Sequence, residues 1–159
     1  MPREKTPQEA LEECFSDGRI LEREDVDIPT VRRAFELALT RRDAASVLLK
    51  TMDRKSKFWS VIYSMYYEVV RDLTDIVVRF DKKNITNHRC LFAWMCSHHD
   101  LLDWAFCERI RTKRNGIHYH GEPASYDDWK EVEIQINLAI TTLAREIERR
   151  LAEPRNSAV

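Results

Sequence analysis

Apolar residues return along this chain every three or four positions, a period that predicts helices almost throughout. A short apolar pattern (Ala10, Leu11, Cys14, Phe15) lies inside a charged first stretch and stops at Asp17-Gly18, predicting a short helix and then a loop through Asp27-Ile28-Pro29. Pro29 suits the first turn of the next helix, where its missing N–H would have no partner anyway. From Val31 through Ala34, Phe35, Ala38, Leu39, Ala45, Leu48 and Leu49 to Met52 the pattern describes one amphipathic helix of about six turns. After a basic link, Arg54-Lys55-Ser56-Lys57, comes the most apolar stretch. Phe58, Ile62, Met65, Val69, Leu73, Ile76 and Phe80 form a stripe, widened by Trp59, Tyr66, Val70 and Val77. Glu68, Arg71, Asp72, Asp75 and Arg79 keep the other face charged, so the segment reads as a central bundle helix rather than a membrane span.

Asp81-Lys82-Lys83-Asn84 breaks the period, and Thr86 or Asn87 is placed to cap a third helical region. That region runs through Leu91, Phe92, Trp94 and Met95, bends at Ser97-His98-His99-Asp100, and continues through Leu101, Leu102, Trp104, Ala105, Phe106 and Ile110 to Asn115-Gly116. Gly116 is expected to end it, because glycine takes the left-handed conformation that closes helices. Beyond Gly121-Glu122-Pro123-Ala124, Ser125 and Asp128 form a capping-box variant ahead of Val132, Ile136, Leu143, Ile147 and Leu151. The expected fold is all-α: an antiparallel four-helix bundle over residues 29–152, with a short extra N-terminal helix in an acidic leader (1–28) and a frayed tail (153–159).

Charge sharpens this picture. The net charge of −1 argues against a protein that coats nucleic acid by bulk electrostatics. Yet residues 1–28 hold four basic and nine acidic side chains, whereas residues 29–159 hold 22 basic and 18 acidic ones. No apolar run is long enough for a membrane span, and the N-terminus lacks the apolar core of a secretory signal. Four cysteines (Cys14, Cys90, Cys96, Cys107) are too few and scattered for a disulfide scaffold, so a reducing, cytoplasmic setting is expected. His88, Cys90, Cys96, His98, His99 and Cys107 are residue types that zinc uses, but they lack close Cys pairs. Buried free cysteines and no metal are the expectation there, and Trp59, Trp94, Trp104 and Trp129 are expected to anchor the core or an interface.

Candidate chemistry concentrates between residues 109 and 121. Arg109, Arg111, Lys113 and Arg114 come just before Asn115 and two histidines, His118 and His120, at a helix end. Arginine offers phosphate a planar pair of donors, and histidine titrates near neutrality and can move a proton. Together they suit phosphodiester cleavage, with a neutral imidazole taking the proton from a ribose 2′-hydroxyl and arginine stabilising charge on the phosphate. The same residues also suit a structural role, since basic groups in a last turn offset the helix macrodipole.

An all-α bundle with Ser64-Met-Tyr-Tyr67 in its second helix, Asn87-His88 opening the third, and Arg114-Asn115…His120-Gly121 closing that region resembles the HEPN superfamily over roughly residues 29–152. Many of its members are dimeric, metal-independent ribonucleases marked by Arg, a polar residue and a nearby His. Arg114 and His120 have five residues between them, and Arg111 and His118 have six. The resemblance implies a homodimer whose two Arg/His loops share one groove, with RNA as substrate and no cofactor. Arg114 would hold the phosphate and its transition state, Asn115 would orient it, and His120 or His118 would do the acid/base work. Arg109, Arg111 and Lys113 would track the RNA backbone, and Tyr119 would stack on an unpaired base. The family context is toxin–antitoxin or defence systems, some with a nucleotidyltransferase partner that modifies a Tyr two residues beyond the His; here those positions are His120 and Glu122. Other branches are binding or adaptor modules without catalysis, or sense nucleotides.

Overall fold

The computed structural model describes residues 2–155. The chain is mostly helical: α1 (Pro7–Ser16), α2 (Ile28–Lys50), α3 (Trp59–Phe80), α4 (His88–His98), α5 (Trp104–His120) and α6 (Tyr126–Ala152), with two short strands, β1 (Leu21–Glu22) and β2 (Lys83–Asn84). Of the tail expected over 153–159, residues 156–159 lie outside the described residues. Among the described residues, no helix is long and apolar enough to cross a membrane.

Local chemistry sets most of the helix ends. Thr6 and Glu9 close a reciprocal capping box ahead of Pro7, and Asp27 caps α2 by accepting from the Thr30 amide at 3.1 Å. Asn87 caps α4, Asp103 caps α5, and Ser125 with Asp128 forms the anticipated capping box of α6. Each such cap contributes about 1 kcal/mol by satisfying amides that the helix leaves unpaired.

α3 is the hub, touching α2, α4, α5, α6 and β2. Its stripe is wide enough to bury residues on nearly every side, from Trp59 and Ile62 to Val77 and Val78. Thr74, fully buried, donates its hydroxyl to the Val70 carbonyl at 2.7 Å and so costs the core no unpaired polar group. α6 packs Trp129 against Tyr66, ring centroids 4.6 Å apart, and adds Ile136, Leu143 and Ile147 to the same core.

Four expectations need correction. The third helical region is two helices, because the bend at His98-His99 is a full break: His99 is extended (φ −135°, ψ 144°) and Asp103 starts a new cap. Gly116 does not end α5. The helix runs on to His120, and Gly121, left-handed at φ 64°, closes it while the Glu122 amide donates to the Gly116 carbonyl at 3.1 Å. A Cβ at Gly116 would meet only the flexible side chain of Glu122, 2.5 Å from its Oε2. The β1–β2 ladder went unforeseen, because two-residue strands carry no periodicity; Leu21 pairs with Asn84, and Glu22 with Lys83.

The fourth correction concerns the cysteines. Cys14 and Cys90 are joined in a disulfide, so neither is the free thiol expected. The cause is packing: α1 lays Ala10, Leu11 and Cys14 on α4, bringing the two Cα atoms to 5.8 Å, within the range a disulfide spans. Cys96 and Cys107 remain free thiols with sulfurs 4.0 Å apart, linking α4 to α5. The acidic first stretch is thus secured to the bundle by a disulfide, by the β1–β2 pair, and by Arg23, which donates to the Lys83 carbonyl and to Asn84 Oδ1.

Candidate functional site

Residues of α5 three, four and eight positions beyond Arg111 fall on one helix face. That spacing brings Arg111, Arg114, Asn115 and Tyr119 to one wall of a polar cleft of about 440 Å³. The start of α4 supplies the opposite wall with Asn87, His88 and Arg89, and the N-terminal stretch adds Glu13, Asp17 and Arg19. Arg109 and Lys113 point elsewhere. Arg109 bonds Gln135 of α6, Lys113 pairs with Asp128 at 3.2 Å, and both line a separate cleft with Trp104. His118 and His120 stand exposed in the last turn of α5 and do not line the Arg114 cleft. Tyr119 is 67% exposed, with the His118 ring edge-on to it at 4.8 Å.

Arg114 is the most constrained cation of the cleft. Its Nη2 donates to Glu68 Oε1 at 3.0 Å, and its guanidinium lies over the rings of Tyr67 (5.5 Å) and Tyr119 (5.9 Å). Arg111 forks onto Glu108 at 3.0 and 3.1 Å. Glu68 is shared with Arg71 of α3, whose Nε donates to it at 2.9 Å. Burial alone would raise the Glu68 pKa, but the bond and charge of Arg71 and the charge of Arg114 bring it below the usual carboxylate value.

His88 sits beside these cations. Its Nδ1 and the Tyr67 hydroxyl share a 2.9 Å hydrogen bond. Burial, reinforced by the positive charge of Arg71, lowers the His88 pKa, so its imidazole is neutral at pH 7. Burial also raises the Tyr67 pKa, which keeps that phenol protonated. The cleft therefore presents guanidinium donors, an amide and a neutral imidazole on one surface, a set suited to a phosphate ester.

The Cys/His constellation of residues 88–107 disperses. Cys90 is in the disulfide, His98 stacks on Trp94 at 3.8 Å, and His99 bonds Asp81 at 2.6 Å. Burial would raise the Asp81 pKa, but bonds from His99 and the Trp94 indole hold it low. Among the described residues, no three His, Cys, Asp or Glu side chains gather as a metal site would require.

Sequence reasoning did not place His88, Tyr67 or Glu68 at this site. One sign was present: Glu68 and Arg71, three apart, sit beside Tyr67 in the chain's most apolar helix, where charge is costly unless paired. What the fold and site define together is a mostly helical protein with a polar cleft lined by α4, α5 and the N-terminal stretch. No family model, curated protein or solved structure matches the chain.

Proposed function

We propose that this protein is a HEPN-like, metal-independent endoribonuclease that cleaves RNA by attack of a ribose 2′-hydroxyl on the adjacent phosphate. The observation that carries this reading is the meeting of Arg114, Asn115, Arg111 and Tyr119 in one cleft that also holds a neutral imidazole. The guanidinium of Arg114 meets the non-bridging phosphate oxygens and stabilises the charge that grows on them, Asn115 orients the group, and Arg111 extends the contact along the backbone. Tyr119, exposed at the rim, offers a face for an unpaired base. His120, or His118, supplies acid/base chemistry from the last turn of α5, across a groove shared by two protomers. The second protomer would dock at a cleft of about 640 Å³ in which Val61, Met65 and Ile117 are flanked by Arg41, Glu68 and Arg71. Such an enzyme acts within a toxin–antitoxin or defence system, with Arg109 and Lys113 adding charge along the outer face.

A second reading has its own observation. Arg111 and Arg114 are already engaged by Glu108 and Glu68, and Glu13 and Asp17 share the cleft. This arrangement favours a non-catalytic HEPN-like module that holds a nucleotide or pairs with a nucleotidyltransferase-type partner. Labelled single-stranded RNA separates the two readings. The ribonuclease cleaves it in the presence of EDTA, and Arg114→Ala slows cleavage on the order of 10²-fold or more. Equal cleavage by wild type, Arg114→Ala and His118→Ala/His120→Ala, or cleavage abolished by EDTA, overturns the enzyme reading. No cleavage together with stable co-purification of a nucleotidyltransferase supports the module.

A further inference from the structure

His88 supplies the neutral imidazole of the Arg114 cleft and is the histidine that lines it, but its role in the reaction has not been assigned. It is the first residue of α4, so its backbone is fixed by the Asn87 cap, whose Oδ1 accepts from the Cys90 amide at 3.0 Å. Its ring is fixed as well. Tyr67 is fully buried in α3, and its hydroxyl meets His88 Nδ1 at 2.9 Å, which leaves Nε2 as the ring nitrogen free to meet a ligand. This is the arrangement of an imidazole oriented through one nitrogen to work with the other.

The groups around it are consistent with that task. Arg71 and Glu68 face it from α3, and Arg111 and Arg114 from α5. Arg89 follows it on α4, while Glu13, Asp17 and Arg19 line the same cleft. Burial and the surrounding arginines favour the uncharged imidazole, and the same arginines attract the phosphate of a substrate. An imidazole from α4 and the guanidinium groups of α5 thus converge within one protomer.

We propose that His88, oriented by Tyr67, is the general base of phosphodiester cleavage in this cleft. With Nδ1–H donating to the Tyr67 hydroxyl oxygen, Nε2 carries the free lone pair and takes the proton of the ribose 2′-hydroxyl while the 2′-oxygen bonds to phosphorus. The bond from phosphorus to the 5′-oxygen breaks, and its electron pair leaves with that oxygen, which takes a proton from an exposed imidazole at the α5 end or from water. The products are a 2′,3′-cyclic phosphate and a 5′-hydroxyl. This assignment rests on the ribonuclease reading and deepens it by moving the base from α5 to α4.

The test uses the full chain and labelled single-stranded RNA, following rate against pH for wild type, Arg114→Ala, His88→Gln, His88→Asn and Tyr67→Phe, with thermal melts of each. The expected result is a loss of about 10²–10⁴-fold in both His88 variants, the usual scale of general base catalysis. Tyr67→Phe, which keeps the ring and removes the hydroxyl, is expected to displace the acidic limb of the pH–rate profile, a change that loss of packing alone does not produce. In wild type that limb lies below the ordinary imidazole value of about 6.5. If His88→Gln and His88→Asn cleave at the wild-type rate while Arg114→Ala does not, His88 is not the base and the ribonuclease reading survives. An unmoved acidic limb in Tyr67→Phe removes Tyr67 from the mechanism. If wild type itself leaves RNA intact, both the enzyme reading and the assignment of His88 fall. Should one His88 variant not fold, the other and Tyr67→Phe still decide the matter.

Discussion

α3 shows two different environments on its two sides. Toward α6 it buries apolar and aromatic side chains, Tyr66 against Trp129, and Leu73 and Ile76 in the same core as Ile136, Leu143 and Ile147. Toward α5 and the start of α4 it presents Glu68, which accepts from both Arg114 and Arg71, with the Tyr67 hydroxyl meeting His88. The first side stabilises by removing apolar surface from water, at about 25 cal/mol per Å². The second keeps charges half-buried, an arrangement that adds little net stability because desolvation offsets the attraction. Placing several such groups around one cleft is a departure from efficient packing, and departures of that kind concentrate at working sites.

Substitutions on the two sides should therefore fail differently. Trp129→Ala, on the apolar side, should lose about 3–5 kcal/mol of stability in denaturant melts, because Trp129 is fully buried. A loss under about 1 kcal/mol would erase the distinction, since only surface substitutions behave that way. Arg114→Ala, on the polar side, should slow RNA cleavage by about 10²–10³-fold. Its melting should shift little, because Glu68 retains Arg71; a large destabilisation would make Arg114 structural. Cys14→Ser should cost about 2–4 kcal/mol under oxidising conditions and far less with a dithiol reductant present. Such dependence on reductant would show that the cleft side relies on a covalent tie where the α3–α6 side relies on packing. Ser125→Ala, which removes half of a capping box at the start of α6, should cost about 1 kcal/mol by calorimetry without touching cleavage.

The smallest effect is the response of the fold to acid. The unfolded chain binds a proton at His88 with ordinary affinity, near pH 6.5, whereas the folded protein binds it less tightly because burial and Arg71 oppose the charge. The unfolded state therefore holds more protons as pH falls, and stability should decline from pH 7 through 6.5 and below. His88→Gln should remove that part of the slope. The depressed carboxylates act lower: Glu146, held at about 2 by its bonds to Arg149 and Arg150, gives support that is present above its ordinary value of 4.5 and is lost as pH falls toward 2. Melts at several pH values, wild type beside His88→Gln, separate the two windows.

Periodicity alone revealed α2, α3 and α6, because each is long enough for a three-and-four pattern to repeat many times. It did less well where a single residue was taken as decisive. Glycine at 116 looked like a helix stop, but it lies inside α5 while Gly121 carries the left-handed turn. Of the basic cluster, spacing could divide Arg111 and Arg114 from Arg109 and Lys113, since helical geometry puts the two pairs on different faces. Spacing could not attach His88 to Arg114, or Cys14 to Cys90, because those meetings depend on how α1, α4 and α5 pack. His88 was visible in the chain as part of a Cys/His group that the fold takes apart and of the Asn87-His88 pair that opens a helix, neither of which ties it to Arg114.

The Cys14–Cys90 bond also changes how the molecule would respond to mechanical load. Its two cysteines are 76 positions apart, so α2 and α3 lie inside a covalent ring while α5 and α6 lie outside it. If the chain were drawn out by its ends, force would pass across the sulfur bridge and bypass the ring. At about 3.3 Å per extended residue, roughly 250 Å of contour would stay out of the force path until the bridge was reduced. The central helix would be unloaded while the outer ones unravelled.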